Sequence, residues 1–416
     1  MAALNSKRGA SILVYAIIGI IIAVVFFTFA ANLIGGFLDE FPKVSGSVTD
    51  TNNVICFGGG KDNSIHCLEK LTGEPLFTFE KAKKWKKGGA DSTPKLTKEG
   101  LYFAIGNHVC AYNPTGAIWN NCYEASGSIT TDIEANFGLV CFGTDRNEYT
   151  CLNQRDGSQI LTIKAKEKCL SHACTTLVKP IVTEDYIYVG LGHKVCKYDK
   201  FSSGPLDETA SVWGRCIGFS FDTSNIELKN DLMCFGAGNN NLVACFNATA
   251  GDPIFNSLTK AQGFAGSKPH LEGDLIYFAL GNKLYKWNIS QDELLELVDF
   301  GIVSSSINTD FAANDEVICF GSGDNDAIRC SEKNELASGF FVSASDKWDA
   351  TDAKSTPAID NGLLYFALGD HVCAYDIALA KSASNHIVGE SSAQKWCADP
   401  DFDYQINSGI AVLENE

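Results

Sequence analysis

Residues 101–116 read LYFAIGNHVCAYNPTG, and this stretch contains the pattern on which the fold depends. An apolar run ends at Gly106, a short polar turn follows, and a second strand runs to Asn113 before a turn that contains Gly116. Aromatic and β-branched residues are typical of strands, and Gly permits the backbone to turn between them. The continuous apolar run predicts a hairpin buried on both faces.

The same phrase returns along the chain at a spacing of about 37 to 48 residues, which is the period of a four-stranded propeller blade. The eight copies begin near Val54, Leu101, Leu139, Tyr186, Leu232, Leu275, Val317 and Leu363. A repeat of this kind cannot bury its faces alone, so the copies must stack into one closed body. The sequence therefore predicts an all-β, eight-bladed β-propeller of four-stranded blades over residues 41–416.

Small polar lead-ins precede the repeated phrase, as in Ser92-Thr93-Pro94 and Ser355-Thr356-Pro357. We expect each lead-in to begin the innermost strand of its blade. The first copy has a short lead-in, whereas residues 406–413 form a similar segment with no blade after it. The C-terminal segment is therefore predicted to complete the first blade, which removes an open sheet edge.

The first 40 residues have a different composition. Lys7 and Arg8 precede an uncharged run over residues 9–38, whose apolar centre of about 20 residues is long enough to span about 30 Å of hydrocarbon. Residues 1–40 are thus predicted to hold one transmembrane α-helix, with residues 10–38 in the membrane and the propeller extracytoplasmic. Alternatively, Lys7-Arg8-Gly9-Ala10-Ser11 resembles the leader of archaeal pilins and archaellins, which is cleaved after the Gly.

Sixteen cysteines occur at positions that suggest pairing within single blades. The odd copies predict Cys56/Cys67, Cys141/Cys151, Cys234/Cys245 and Cys319/Cys330; the even copies predict Cys110/Cys122, Cys196/Cys216 and Cys373/Cys397; Cys169/Cys174 would close a small loop. In the sixth copy Tyr285 replaces the expected Cys, and its partner is missing as well. Zinc-type spacing is absent, so eight disulfides are predicted, in an oxidising compartment or a hyperthermophilic cell.

The best repeats, Cys110-Ala111-Tyr112-Asn113-Pro114-Thr115-Gly116 and Cys373-Ala374-Tyr375-Asp376, resemble the quinoprotein-type (PQQ-like) β-propeller repeat. The resemblance runs from about residue 45 to the C-terminus and implies eight blades. Quinoprotein dehydrogenases typically carry adjacent cysteines above the quinone and a calcium site of Glu, Asn and Asp. This sequence has no adjacent Cys pair, and its blades are near minimal length. We therefore predict no catalytic, cofactor-binding or metal-ligating residues.

The resemblance also includes quinoprotein-like outer-membrane assembly lipoproteins, which implies a membrane-anchored, non-enzymatic binding or assembly scaffold. Two alternatives remain open at this point. One is a pilin-like filament subunit with a propeller head, and the other is a quinoprotein-like small-molecule oxidoreductase. The net charge of −17 argues against nucleic acid as a partner, because neutralising phosphates requires a basic surface.

Several surface residues are candidates for interaction. A basic cluster stands out in the acidic chain and consists of Lys81, Lys83, Lys84, Trp85, Lys86 and Lys87. Its candidate ligand is a phosphorylated glycan or lipid headgroup, and the alternative is a solvated loop that binds no ligand. Asn247 and Asn288 fit the N-glycosylation acceptor pattern. His108 and His371 occupy one repeat position, which Lys fills in other blades, and both are expected to be exposed hairpin residues. The predicted partner is a protein or a cell-surface glycan.

Overall fold

A computed structural model describes residues 43–46, 51–85, 89–113, 116–165, 178–191, 194–218, 224–237, 242–256, 266–300, 307, 309–321, 327–344, 353–382, 384–388, 391–398, 406 and 408–413. The chain forms two compact units. One unit comprises residues 1–43 with Lys81–Lys86, and the other comprises residues 44–80 and 87–416. The larger unit contains the repeats.

Eight sheets, each built on an antiparallel hairpin, follow one another along the chain and form the eight blades of a propeller, as the repeat predicted. The second strand of every blade begins at the residue where its repeat begins in the sequence. We number the blades in chain order and count their strands from the innermost outward.

The odd blades consist of these strands. Blade 1 contains Val54–Gly58, Ser64–Glu69, Pro75–Glu80 and Lys43–Gly46. Blade 3 contains Glu134–Asn136, Leu139–Thr144, Glu148–Asn153, Gln159–Lys164 and Gly204–Leu206. Blade 5 contains Glu227–Lys229, Leu232–Ala237, Leu242–Asn247 and Pro253–Asn256. Blade 7 contains Ala312–Ala313, Val317–Gly321, Ala327–Glu332, Glu335–Ser343 and Asn385–Ile387.

The even blades consist of the following strands. Blade 2 contains Lys95–Leu96, Leu101–Ile105, His108–Asn113, Gly116–Ala117 and Tyr123–Glu124. Blade 4 contains Ile181–Val182, Tyr186–Leu191, Lys194–Asp199 and Ile217–Gly218. Blade 6 contains His270–Glu272, Leu275–Leu280, Lys283–Asn288 and Glu293–Asp299. Blade 8 contains Ala358–Asp360, Leu363–Leu368, His371–Asp376 and Gln394–Ala398. A short α-helix spans Ile377–Ala380, and 3-10 turns span Thr51–Asn53 and Glu208–Ala210.

The C-terminal segment completes blade 1. Cys56 and Ala411 exchange backbone hydrogen bonds of 3.0 and 2.8 Å. The Gly58 N–H donates to Ser408 Oγ at 2.7 Å, which fixes the start of the segment. Blade 1 is therefore built from both ends of the propeller sequence, and the predicted closure is what the structure contains.

The hydrophobic core lies between successive blades. In Leu101–Ile105 every residue is buried, because alternate side chains face different neighbours. Tyr102 and Ala104 pack in the cluster shared with blade 3, whereas Phe103 packs against Phe79 of blade 1, with 4.8 Å between the ring centroids. Burial on both faces explains why these strands are continuously apolar in the sequence.

Tryptophans tie three even blades to the odd blade beside them. Trp396 Nε1 donates to the Lys70 carbonyl at 2.9 Å, and Trp119 and Trp213 make the equivalent bonds to Gln154 and Ala248. Gly73 lies beneath the Trp396 ring with a φ of +73°, and an added Cβ would stand 2.5 Å from that ring. The recurrent Gly in the turn therefore provides both the left-handed backbone and the room for an indole.

Seven of the predicted disulfides are present: Cys56–Cys67, Cys110–Cys122, Cys141–Cys151, Cys196–Cys216, Cys234–Cys245, Cys319–Cys330 and Cys373–Cys397. The odd-blade pairs lie directly opposite one another in the register of the second and third strands. No described cysteine is free. Cys169 and Cys174 lie outside the described residues, so their pairing stays a prediction.

Among the residues that the structure describes, no helix is long and apolar enough to cross a membrane. The predicted helix within residues 10–38, like the alternative leader at residues 7–11, lies outside them.

Candidate functional site

A cavity of about 510 Å³ lies at the axis of the propeller, where the inner ends of all eight blades meet. Each blade contributes one residue just before its innermost strand, and we call this set the axial ring: Thr93, Asp132, Lys179, Asn225, Lys268, Asp310, Thr356 and Gly409. The predicted lead-ins Ser92-Thr93-Pro94 and Ser355-Thr356-Pro357 therefore lead into the axis of the molecule.

Side chains of the axial ring join successive blades. In five places the backbone N–H of one ring residue donates to the side-chain oxygen of the next: Gly409 to Thr93 (2.7 Å), Thr93 to Asp132 (2.8 Å), Lys179 to Asn225 (2.8 Å), Lys268 to Asp310 (2.8 Å) and Asp310 to Thr356 (3.3 Å). Three ring residues, Lys179, Lys268 and Gly409, donate a backbone N–H in this series but carry no side-chain acceptor themselves. The ring thus uses every acceptor that its sequence provides.

The two ring lysines form ion pairs one layer further along the axis. Lys179 Nζ lies 3.0 Å from Glu134 Oε2, and Lys268 Nζ lies 2.8 Å from Glu227 Oε2. Burial acts to lower the pKa of Lys268, but the carboxylates of Glu227 and Asp310 outweigh it, and the pKa is raised. Lys268 is therefore charged, and the ammonium group of each lysine lies next to a carboxylate of the preceding blade.

Burial shifts the pKa values of two further groups near the axis. It raises the pKa of Asp132, although Lys179 and the Thr93 hydrogen bonds act in the opposite direction. It lowers the pKa of His270 to about 4, although Glu227, 3.9 Å from Nδ1, favours the charged ring. His270 is consequently neutral at pH 7.

The charges of this layer are distributed unevenly around the axis. Lys95, Glu134 and Glu227 stand two residues after their ring positions in blades 2, 3 and 5. In blades 7, 8 and 1 the same position is Ala312, Ala358 and Ala411. One side of the cavity is therefore charged and the other is lined by small apolar side chains.

The cavity does not fit a quinone held by calcium. Such a site needs carboxylates and amides that converge on a cation. Here the carboxylates of Glu134 and Glu227 face lysines instead. The Asp310 carboxylate accepts hydrogen bonds from the backbone N–H of Lys268 and from Asn225 Nδ2. Within the described ranges, no three His, Cys, Asp or Glu side chains are grouped so as to hold a metal ion. The axial residues are instead arranged to bind one another.

The basic cluster predicted from the sequence is only partly described, because Lys86 and Lys87 lie outside the described residues. Lys83 and Lys84 are exposed, whereas the Trp85 ring is 6% exposed. The backbone N–H of Trp85 donates to the Ala82 carbonyl at 3.0 Å and closes a turn. A ligand would therefore meet Lys83 and Lys84 and not the Trp85 ring, and the role of the cluster stays a prediction.

The two predicted glycosylation acceptors occupy the same place in their blades, at the end of the third strand. Asn247 Oδ1 accepts hydrogen bonds from the N–H groups of Thr249 and Ala250, at 2.9 and 2.8 Å. Asn288 Oδ1 accepts from the Gln291 N–H at 3.0 Å. Both side chains start a turn, which is a structural reason for Asn at this position. Their modification stays a prediction.

His108 was expected to be an exposed hairpin residue, and this expectation was wrong. Its side chain is 8% exposed, and burial lowers its pKa. His371, at the equivalent position, is partly buried and lies 2.6 Å from Asp370 Oδ1. The repeat position is therefore buried in one blade and partly buried in the other, which hairpin spacing alone does not show.

Comparison with solved structures supports the fold. BamB from Moraxella catarrhalis is similar over 75% of this chain and 86% of its own, with 13% identity and a TM-score of 0.55. Sqt1 from Saccharomyces cerevisiae is similar over 79% of this chain and 95% of its own, with 14% identity and a TM-score of 0.57. The computationally designed Ika8 protein is similar over 76% and 88%, with 10% identity and a TM-score of 0.58. Identities this low show the propeller fold alone.

Comparison with curated protein sequences gives no match. The family model described as outer membrane protein assembly factor BamB matches residues 61–294, which is more than half of the 416 residues. The protein therefore belongs to this family of PQQ-like β-propellers.

Proposed function

We propose that this protein is a non-enzymatic scaffold that binds partner proteins with its propeller outside the cytoplasm, anchored to a membrane by residues 10–38. The observation that carries the proposal is the axial ring, whose side-chain acceptors are occupied by hydrogen bonds between blades. In this arrangement the axis serves to hold the blades together, and the outer surface is left for recognition.

Two further facts support the proposal. The matching family model is described as an outer membrane protein assembly factor, a description that indicates action on other proteins. The seven disulfides favour an oxidising compartment, because a reducing cytosol keeps such thiols free.

Cross-linking in intact cells tests this function. The full chain is tagged, cross-linked and purified under denaturing conditions, and the bound proteins are identified by mass spectrometry. The control carries residues 1–40 fused to an unrelated extracytoplasmic domain. The proposal requires a protein that is captured by the full chain and not by the control.

The two alternatives give different results. A quinoprotein oxidoreductase requires the purified chain to bind pyrroloquinoline quinone and to oxidise an alcohol or a sugar with a dye as acceptor. A filament subunit requires Ala10 as the first residue of the mature protein and recovery of the chain in sheared filaments. Either result would replace the scaffold proposal.

A further inference from the structure

Some blades carry a fifth strand outside the usual four. In blade 3, Gly204–Leu206 runs parallel to Gln159–Lys164, and Leu161 pairs with Gly204. In blade 7, Asn385–Ile387 runs parallel to Glu335–Ser343. Blade 1 carries Lys43–Gly46 at the corresponding edge. Among the odd blades, the described residues place no fifth strand only on blade 5, beside Pro253–Asn256.

The origin of the fifth strands explains this difference. In blades 4 and 8 a long connection leaves the third strand and supplies the fifth strand of the preceding odd blade. In blade 6 the third strand ends at Asn288, and the outer strand begins at Glu293. Only a turn connects them, so this connection cannot supply a fifth strand to blade 5.

The fifth strand covers the seam between two blades. In blade 3, Leu206 packs against a cluster that contains Ile163 and the fully buried Tyr198 of blade 4. Trp287 of blade 6 stands at the position of Tyr198, since the two pair with Ile276 and Ile187 in their blades. Trp287 is only partly buried, and its Nε1 has no hydrogen-bond partner among the described residues although it is buried.

Apolar side chains remain uncovered at this seam. Leu294 and Leu297 pair with Trp287 and Tyr285, two aromatic residues that pack towards blade 5. The side chains of Leu294 and Leu297 are 41% and 44% exposed. Ile254, on the outer strand of blade 5, is 50% exposed. An outer edge on which the described part of the chain places no extra strand, and which is lined by exposed apolar residues, is a site for strand addition.

We propose that the outer edge of blade 5 receives its fifth strand from another protein. The added segment is extended, runs parallel to Pro253–Asn256 and places apolar side chains against Leu294 and Leu297. The segment pairs with three residues of the blade 5 strand, because Pro253, the first residue of that strand, has no N–H to donate. The fifth strands of blades 3 and 7 also pair with three residues.

The charge of the surroundings identifies the partner as basic. Asp252 precedes the outer strand of blade 5 and Glu293 begins that of blade 6, and both are exposed. The exposed Asp299 lies 3.4 Å from Lys283 Nζ, which balances its charge. The net charge of −17 opposes the approach of a second copy of this chain. The proposal is therefore a segment in which apolar residues alternate with Lys or Arg, and it rests on the proposed scaffold function, for which it specifies a contact.

A synthetic peptide of nine residues that alternates Lys and Val provides the probe. Fluorescence anisotropy at physiological salt measures its binding to the full chain in detergent, and hydrogen exchange locates it. We expect saturable binding and slower exchange at residues 254–256. A peptide of the same composition with its valines clustered controls for charge alone, and an alternating Glu and Val peptide controls for backbone pairing alone; both should bind at least about tenfold more weakly.

The variant with Leu294→Gln and Leu297→Gln tests the surface. Both positions are exposed, so the fold is retained, and the affinity for the basic peptide should fall at least about tenfold because apolar contact is lost without a change in charge. Leu71→Gln, at a 65% exposed position in blade 1, is the matched control and should bind as the unchanged chain does.

Equal binding by the double variant and the control, or protection elsewhere than blade 5, would overturn the proposal. So would dimerisation of the chain that the double variant abolishes, since the occupant would then be a second copy. If these tests fail while cross-linking still captures a partner, the scaffold function stands and its contact lies on another face.

Discussion

His270 is a neutral histidine held next to a carboxylate, and its charge state links stability to pH. Burial lowers its pKa to about 4 in the folded protein, whereas an unfolded histidine has a pKa of about 6.5. The unfolded chain therefore binds more protons between these values, and the free energy of unfolding falls as the pH drops from 6.5 towards 4. We expect a loss of up to about 3 kcal/mol over this window.

Chemical denaturation at pH 7 and at pH 4.5 measures this effect. His270→Gln has no titrating ring, so its stability should fall less over the same interval. The raised pKa of Asp132 acts in the opposite direction, because the folded carboxyl gains a proton on acidification, and it contributes equally to both proteins. Parallel losses in the two proteins would show that His270 is not the group responsible.

Asp310 makes two hydrogen bonds in the axial ring, which predicts a large cost for its removal. Its Oδ1 accepts from the Lys268 N–H at 2.8 Å, and its Oδ2 accepts from Asn225 Nδ2 at 2.7 Å. Asp310→Ala leaves both donors without an acceptor and should lower the free energy of unfolding by about 2 to 4 kcal/mol.

Thr356→Ala is the control for Asp310→Ala, because it removes the acceptor of one longer bond, of 3.3 Å from the Asp310 N–H. Urea unfolding should show a loss of about 1 kcal/mol for this variant. Equal losses in the two variants would mean that the ring bonds do not set the stability.

At the residue scale, the sequence predicts the composition of the axial ring but not its bonding. The polar lead-ins are visible as local patterns, and Thr93 belongs to one of them. That its neighbour on the ring is Asp132, 39 residues further along, follows only from closing the propeller. His108 was misjudged for the same reason, because the burial of a side chain in the folded protein is not a local property.

At the scale of the element, blade 6 lacks the disulfide of the other even blades, and the register shows where one would fit. Tyr285 pairs with Leu297, as Cys373 pairs with Cys397 in blade 8. The variant with Tyr285→Cys and Leu297→Cys should form a disulfide in the oxidised protein, seen as no increase in titratable thiols. Glu296 pairs with Lys286 and lies on the other face, so the combination of Tyr285→Cys and Glu296→Cys should leave two free thiols.

The hairpin disulfides were predictable because both partners belong to adjacent strands of one repeat. The fifth strands were not predictable. Gly204–Leu206 and Asn385–Ile387 are three residues long, have no apolar periodicity, and pair with strands of a different blade. Only the assembled sheet identifies them as strands.

At the scale of the whole propeller, closure depends on the C-terminal segment that completes blade 1. Deleting residues 406–416 removes the partner of Cys56 and the acceptor of the Gly58 N–H. The exposed edge should cost several kcal/mol, roughly 3 to 5, and promote aggregation. Thermal unfolding and light scattering measure both effects.

Ser408→Ala provides a milder version of the deletion. It removes one acceptor and should cost about 1 to 2 kcal/mol without opening the sheet edge. Unchanged stability after the deletion would show that Lys43–Gly46 alone closes the first blade.

The order in which the strands are synthesised gives this closure a consequence for how the protein matures. Each odd-blade disulfide joins cysteines only 10 or 11 residues apart, so it can form as soon as its hairpin emerges. The segment around Ala411 emerges after all eight hairpins. An interrupted chain would therefore carry its oxidised hairpins and an open seam, and would be recognised by quality control through its unsealed edge and not through its thiols.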